Sequence, residues 1–244
     1  MLTAAKERLA WIFAHFEAVY LAASGGKDSS VMVQLADLVA RPLGRRFDVL
    51  YIDMEAQYAH TIAHIQELKT LPSIDRFYHV ALPLALRNAV STLQPKWICW
   101  DEDERDLWVR EMPEDAICAA NCPWEWFHKG MEFEEFVKEF AIWYHQEKGV
   151  PIACGIGIRA DESLNRFSTI AFAQRKTELC GLHWTTRIAD GVYNFYPIYD
   201  WRCEDIWGAV SQLNFTYNEI YELMYKNGLS IYQQRLCQPY GDDQ

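Results

Sequence analysis

The sequence predicts an α/β fold: an open, mostly parallel twisted sheet with helices on both faces. Three observations point there. Short apolar runs alternate along the chain with segments whose apolar residues recur at helical spacing. The four runs that read as strands have no hairpin turn signals between them, the pattern of parallel strands joined by helical crossovers. Half of the 244 residues are hydrophobic, enough for a sizeable core in a single domain spanning residues 1–244.

The first element is a helix with Leu2, Leu9, Ile12, Phe13 and Phe16 on one face. Residues 18–23 (AVYLAA) are a short buried strand. After a glycine pair, Val31, Leu35, Leu38 and Val39 form a helical stripe that ends before Arg41-Pro42. Residues 47–52 (FDVLYI) are a second buried strand and residues 58–69 a second crossover helix. A third strand covers residues 76–82 and a fourth residues 151–158, followed by a helix over about 161–177.

Between the third and fourth strands the pattern breaks. Residues 95–148 hold six of the ten tryptophans, three cysteines and a helix over 132–146, and are expected to form an insertion or lid within the domain. Residues 101–139 carry thirteen acidic and four basic side chains, so −9 of the net −11 sits there. The remaining −2 leaves room for a basic phosphate pocket elsewhere. The acidic total weighs against non-specific DNA binding, and nothing in the sequence points directly to nucleic acid. No apolar run approaches the ~18 residues that cross a bilayer. The first six residues open an amphipathic pattern rather than a signal peptide, so the expected location is the cytoplasm. Seven scattered cysteines then read as reduced thiols packed as small hydrophobes.

The most specific local signal is Ser24-Gly25-Gly26-Lys27-Asp28-Ser29, where the first strand gives way to a helix. An open parallel sheet binds ligands at such a junction. Two glycines let the backbone approach a ligand closely. The following amides fall in the first helical turn, unpaired and aimed at an anion. Lys27 adds a mobile charge, Ser24 and Ser29 offer hydroxyls, and Asp28 can orient the loop or help hold Mg²⁺. The spacing matches neither the Walker A loop nor the dinucleotide fingerprint. Downstream, Gly155 and Gly157 permit close approach, Arg159 and Arg166 can clamp phosphate or sulfate, and Asp161 or Glu162 can cap a helix or bind metal.

At these residues a family resemblance emerges. SGGKDS is the signature of PP-loop ATP pyrophosphatases, of the adenine nucleotide alpha-hydrolase-like fold. SGGKDSSVM resembles their sulfate-assimilation branch, which includes phosphoadenosine phosphosulfate reductases and the small subunit of bacterial ATP sulfurylase. GIGIRADESLNR, from Gly155 to Arg166, resembles that branch's second nucleotide motif. YPIYDWRCEDIW, from Tyr196 to Trp207, resembles its Pro-x-x-x-Trp-x-x-x-Asp-x-Trp segment; Trp201 and Trp207 also suit core anchors, with Asp205 starting a helix. The run GLSIYQQRLCQPYGDDQ is similar to an uncharacterised reductase-like subgroup. The resemblance covers about residues 15–244 and is weakest across the acidic, Trp-rich segment.

The resemblance implies ATP or a related adenine nucleotide as ligand, with Mg²⁺. It places Ser24, Gly25, Gly26, Lys27, Asp28, Ser29, Ile52, Asp53, Gly155, Arg159 and Glu162 at the nucleotide, with Asp53 or Glu55 near ribose or metal. Lys27, Arg159 and Arg166 are the expected catalytic cations, and Asp28, Asp53 or Asp161 the expected carboxylates for Mg²⁺. A reductase of this branch carries a terminal Glu-Cys-Gly-Leu/Ile-His motif, of which Leu179-Cys180-Gly181-Leu182-His183 is only an internal look-alike. Cys99, Cys118, Cys122 and His128 form an irregular set that zinc would accept only at the permissive edge of known spacings. Three functions stay open: ATP cleavage at the α-phosphate with pyrophosphate release; thiol-dependent processing of an activated sulfate nucleotide; and a nucleotide-binding regulatory module. The subgroup resemblance implies a ParB/sulfiredoxin-like protein as partner for the last, and a homo-oligomer is compatible with all three.

Overall fold

The computed structural model describes residues 1–87, 93, 95–164, 166–168 and 179–236. Its centre is a six-stranded sheet made of β1 (Ala18–Ala23), β2 (Phe47–Ile52), β3 (Ile74–Val80), β6 (Ile152–Gly155), β7 (Thr185–Ala189) and β8 (Val192–Phe195), in the order β3-β2-β1-β6-β8-β7. The first five in that order pair in parallel, and β7 alone runs antiparallel, against β8. A separate antiparallel pair, β4 (Ala85–Arg87) and β5 (Lys96–Ile98), lies outside this sheet.

Strand alternation sorts the core into two layers, because successive side chains point to opposite faces. Val19, Leu21 and Ala23 of β1 face one cluster with Val49 and Tyr51 of β2. There they meet Leu9, Ile12 and Phe13 of α1 (Leu2–His15), Val31 and Leu35 of α2 (Lys27–Ala40), Ile65 of α3 (Ala59–Leu68), and Ile206 and Val210 of α5 (Cys203–Leu213). Tyr20, Leu50, Tyr78 and Ile152 face the other cluster, against Phe136, Phe140 and Tyr144 of α4 (Phe133–Lys148). Trp100 and Trp124 complete that second layer. Residues 95–148 thus supply a helix and a set of aromatic rings to the second face of the sheet, alongside the acidic turns at its rim. Gly149, in the left-handed region at φ 65°, ends α4 just before Pro151.

Several boundaries differ from the sequence reading. The third strand sits at 74–80 rather than 76–82, since Ala81 N–H leaves the ladder to donate to Ile117 O. The fourth stops at Gly155 rather than 158, where the chain turns into the loop that carries Arg159. Of the helix expected over 161–177, residues 161–163 are turn and irregular, 164 and 166–168 are helical, and 165 and 169–177 lie outside the described residues. The β7–β8 hairpin was not foreseen, although Asp190-Gly191 is a strong hairpin signal: Gly191 takes φ 70°, and a Cβ there would meet the His145 ring at 2.5 Å. A short α6 (Ile220–Lys226) follows α5. Among the described residues, no helix is long and apolar enough to cross a membrane.

Candidate nucleotide site

The chain leaves β1 toward β2 and β3 on one side, and β6 leads to β8 and β7 on the other. β1 and β6 are adjacent, so the crevice at their carboxyl ends is a topological switch point, where open α/β sheets place ligands. Both sequence motifs open into it. The loop after β1 carries Ser24-Gly25-Gly26 into the N-terminus of α2, and the loop after β6 carries Gly157 and Arg159.

The first loop is held by its own side chains. Ser24 N–H donates to Ser29 Oγ at 3.1 Å, and Ser29 Oγ–H donates to Gly26 O at 3.1 Å. Gly25 has φ 75°, and a Cβ there would meet Thr61 Cγ2 at 2.7 Å, so both conformation and crowding demand glycine. At Gly157 a Cβ would meet Ser29 Cα at 2.9 Å, which lets the two loops touch. Gly155 serves differently: its Cβ would meet Leu21 Cδ2 and the Phe195 ring, so it packs the sheet core.

Three charges are buried where the loops meet. Arg159, Lys27 and Asp28 are 3%, 6% and 9% exposed. Arg159 Nε donates to Asp28 Oδ1 at 2.6 Å, and Lys27 Nζ stands 3.5 Å from Asp28 Oδ2. Burial alone would lower Arg159, but the Asp28 carboxylate beside it reverses the sign and raises it, so the guanidinium stays charged. Its Nη1 finds no hydrogen-bond partner among the described residues, with the Asp161 carboxylate 3.6 Å away. Two buried cations thus flank one carboxylate, and Arg159 Nη1 keeps donor capacity to spare, with the Asp161 and Glu162 carboxylates close by. Glu162 lies nearby; burial and then the charge of Asp28 push its carboxyl up, against Arg166, Arg159 and Lys27. Arg166 pairs with Glu162 at 3.3 Å and is more exposed, standing off from the Lys27–Asp28–Arg159 group.

Residues that the sequence reading did not single out brace this site. Tyr221 Oη accepts Lys27 N–H at 3.0 Å, and its ring lies under Lys27 Nζ at 5.5 Å. Asn218 Nδ2 donates to Gly25 O and Thr61 Oγ1. Lys27 Nζ donates to Gln234 O at 3.1 Å. Cys203, at the start of α5, is 4% exposed and within the field of Lys27 and Arg159, although burial raises its thiol. Cys203 stands inside the quoted YPIYDWRCEDIW run and Gln234 inside GLSIYQQRLCQPYGDDQ; Asn218 and Tyr221 lie about 190 positions from the loop they touch and carry no local motif.

Ile52 ends β2 and Asp53 follows it, but the Asp53 and Glu55 carboxylates are already saturated. Asp53 Oδ2 pairs with His79 Nε2 at 3.0 Å, while Oδ1 accepts Glu55 N–H and Arg110 Nη2. Glu55 accepts Trp100 N–H at 2.6 Å and Val109 N–H at 3.0 Å. His79 Nδ1 reaches Asp115 at 3.1 Å, and Arg110 stacks over the Trp100 ring. This cluster ties residues 100–115 to the sheet. Of the three carboxylates expected to serve Mg²⁺, Asp28 and Asp53 hold cations in buried pairs, and Asp161, half exposed, stands 3.6 Å from Arg159 Nη1.

Cys99, Cys118, Cys122 and His128 are not assembled as a zinc set: among the described residues no group of three or more His, Cys, Asp or Glu is placed to hold a metal. The Cys99 thiol is fully buried against Leu82 O and Leu84 O, and burial pushes it up to about 12. Cys180 is exposed in the turn Leu179–Gly181, beside the edge strand β7.

The chain matches the phosphoadenosine phosphosulfate reductase domain family over residues 18–92 and 109–227. It is 42% identical over 249 residues to the uncharacterized protein YbdN of Escherichia coli (strain K12), an alignment that takes in all of this chain and 60% of that relative. The chain therefore spans about three fifths of the length of the curated relative it matches. Among solved structures it is similar to a phosphoadenylyl-sulfate reductase from Candida auris in a phosphate complex, with TM-score 0.46 and 14% identity over 90% of this chain and 84% of that one. It is also similar to the Candida glabrata FMN adenylyltransferase in complex with ATP, with TM-score 0.49 and 16% identity over 90% of this chain and 56% of that one.

Proposed function

The chain belongs to the phosphoadenosine phosphosulfate reductase domain family, and we propose that it binds an adenine nucleotide in the β1–β6 crevice and cleaves ATP at the α-phosphate. The observation that carries this is the convergence of buried Lys27 and Arg159 on the glycine loop at the switch point, with an Arg159 N–H that has no hydrogen-bond partner among the described residues. Buried donors without partners cost free energy, and an anionic ligand offsets that cost.

In the proposed reaction an acceptor attacks the α-phosphorus, the bond from that phosphorus to the bridging oxygen of the leaving group breaks, and pyrophosphate departs. Lys27 and Arg159 neutralise the charge that grows on the leaving group, in a site from which their own burial excludes water. Asp28 holds the two cations in register, and α2 presents the positive end of its dipole to the phosphates, its Lys27 N–H being held by Tyr221. When bound with the nucleotide, Mg²⁺ would supply further charge neutralisation, and Asp161, half exposed beside Arg159, is the carboxylate that would hold it. Ile52 and the backbone at Asp53 border the adenosine side, with the Asp53 carboxylate acting as scaffold.

The test is product identity. ATP labelled at the γ-position, incubated with the protein and Mg²⁺ in the absence of pyrophosphatase, is expected to yield labelled pyrophosphate. Labelled orthophosphate as the first product contradicts cleavage at the α-phosphate.

A further inference from the structure

The phosphate lysine is already engaged by another part of the chain. Lys27 Nζ donates to the backbone carbonyl of Gln234 at 3.1 Å, although the two residues are 207 positions apart. Gln234 is 2% exposed, while Tyr232, two residues earlier, is 61% exposed. Residues 229–235 therefore lie over the crevice with one edge buried in it.

The anchors of this segment all belong to the crevice rim. Cys203 Sγ–H donates to Ile231 O at 3.1 Å. Arg235 Nη2 donates to Glu162 O at 2.7 Å. Tyr232 Oη bonds the Glu204 carboxylate. Gln234 Nε2 donates back to Leu229 O at 3.1 Å, folding the segment on itself. Residues 229–235 hold only turns, outside the sheet and the helices, so they can detach without disrupting a ladder.

We propose that residues 229–235 form a strap that occupies the phosphate position in the nucleotide-free protein and gives way when phosphate arrives. A backbone carbonyl is a neutral acceptor; a phosphate oxygen carries charge and bonds an ammonium more strongly. The strap therefore satisfies Lys27, which is 6% exposed, when no anion does, and yields to a better acceptor. The apparent affinity for nucleotide is reduced by the fraction of molecules in which the strap is closed. The strap also shields Cys203, so the accessibility of that thiol reports its state independently of any nucleotide. This regulation rests on the nucleotide reading of the same site.

The experiment uses the full chain and its Tyr232→Phe/Arg235→Ala variant, which loosens two anchors and leaves the loop residues intact. Iodoacetamide labelling of Cys203, read by peptide mass spectrometry without nucleotide, is expected to run severalfold faster in the variant. Calorimetric titration with Mg-ATP, and separately with pyrophosphate, is expected to show binding tightened by about fivefold or more, as release of a closed-state penalty requires. Unchanged labelling, or ATP bound equally well or less well by the variant, overturns the strap while leaving the nucleotide reading standing. Binding of neither probe to either protein overturns both. Should the double variant fail to fold, Tyr232→Phe alone carries the same comparison, because it removes a single hydroxyl from an exposed side chain.

Discussion

The crevice between β1 and β6 and the cluster behind β2 both bury charge, and they dispose of it in opposite ways. In the cluster, every carboxylate oxygen of Asp53 and Glu55 has a donor: His79, Arg110 and the Glu55 amide for one, Trp100 and Val109 amides for the other. In the crevice, two cations share Asp28, an Arg159 N–H has no hydrogen-bond partner among the described residues, and Lys27 borrows a backbone carbonyl. Saturated buried charge is scaffold; buried charge with donors to spare is a place for a ligand. The contrast separates two groups of residues that a strand-end reading of the sequence places in one site.

The largest effect expected from this contrast is on stability. Asp53→Ala leaves Arg110 and His79 facing each other without their carboxylate, at a cost of about 3–5 kcal/mol, the range for breaking a buried pair. Denaturant unfolding measures it, and the nucleotide affinity of the folded fraction is expected to stay within about twofold, since scaffold loss does not remove a phosphate donor. A large loss of affinity at unchanged stability instead moves Asp53 into the ligand site.

Arg159→Met comes next and should act on both properties. It removes a charge-assisted bond to Asp28 worth roughly 1.5–3 kcal/mol and one of two phosphate cations. Unfolding and calorimetry run on the same preparation should show stability and affinity falling together. An unchanged affinity would assign Arg159 to the scaffold as well.

A smaller effect concerns acid sensitivity at the first loop's back wall. His64, 3% exposed, bonds Ser30 Oγ at 2.8 Å, and burial lowers its pKa against the opposing pull of Glu67. Folded His64 thus binds a proton less readily than the unfolded residue, whose value is about 6.5. The unfolded state then takes up more protons below that value, so His64's contribution is intact above it and is lost as pH falls toward the folded value. Urea titrations at about pH 7.5 and 5.5 should show a larger loss in the parent than in His64→Gln. Equal losses would sink the assignment. The smallest effect of all is expected for Cys180→Ser: the residue is exposed at the sheet edge, so nucleotide binding should remain within about twofold. Sulfite release from phosphoadenosine phosphosulfate that disappears in this variant would reinstate a thiol-based reaction.

How much of this was legible follows from the range of the interactions. Alternating apolar runs and helical stripes are local, and they located β1, β2, α1 and α2 to within a residue or two. The glycine loop and Arg159 were visible because a backbone that approaches an anion needs glycine and cation at fixed short spacing. The β7–β8 hairpin is harder to read: Asp190-Gly191 signals its turn, but Thr185–Ala189 and Val192–Phe195 are short and interrupted by Arg187 and Asn194. Tyr221, Asn218 and Gln234 reach the loop from about 190–210 positions away, a distance over which composition and periodicity say nothing. Asp53 was visible as a strand-end carboxylate, but its role depends on Arg110, which sits in a stretch with no periodic pattern to place it.

The central claim is that the spare donors of the β1–β6 crevice bind nucleotide phosphate, and Lys27→Ala tests it most directly. Calorimetric titration of Mg-ATP into parent and variant should show one saturable site in the parent, weakened about tenfold or more in the variant, as loss of a charge-assisted phosphate contact requires. The same variant should lose less stability than Asp53→Ala, because Arg159 still pairs with Asp28. No binding by the parent, or equal affinity in both proteins, contradicts the account.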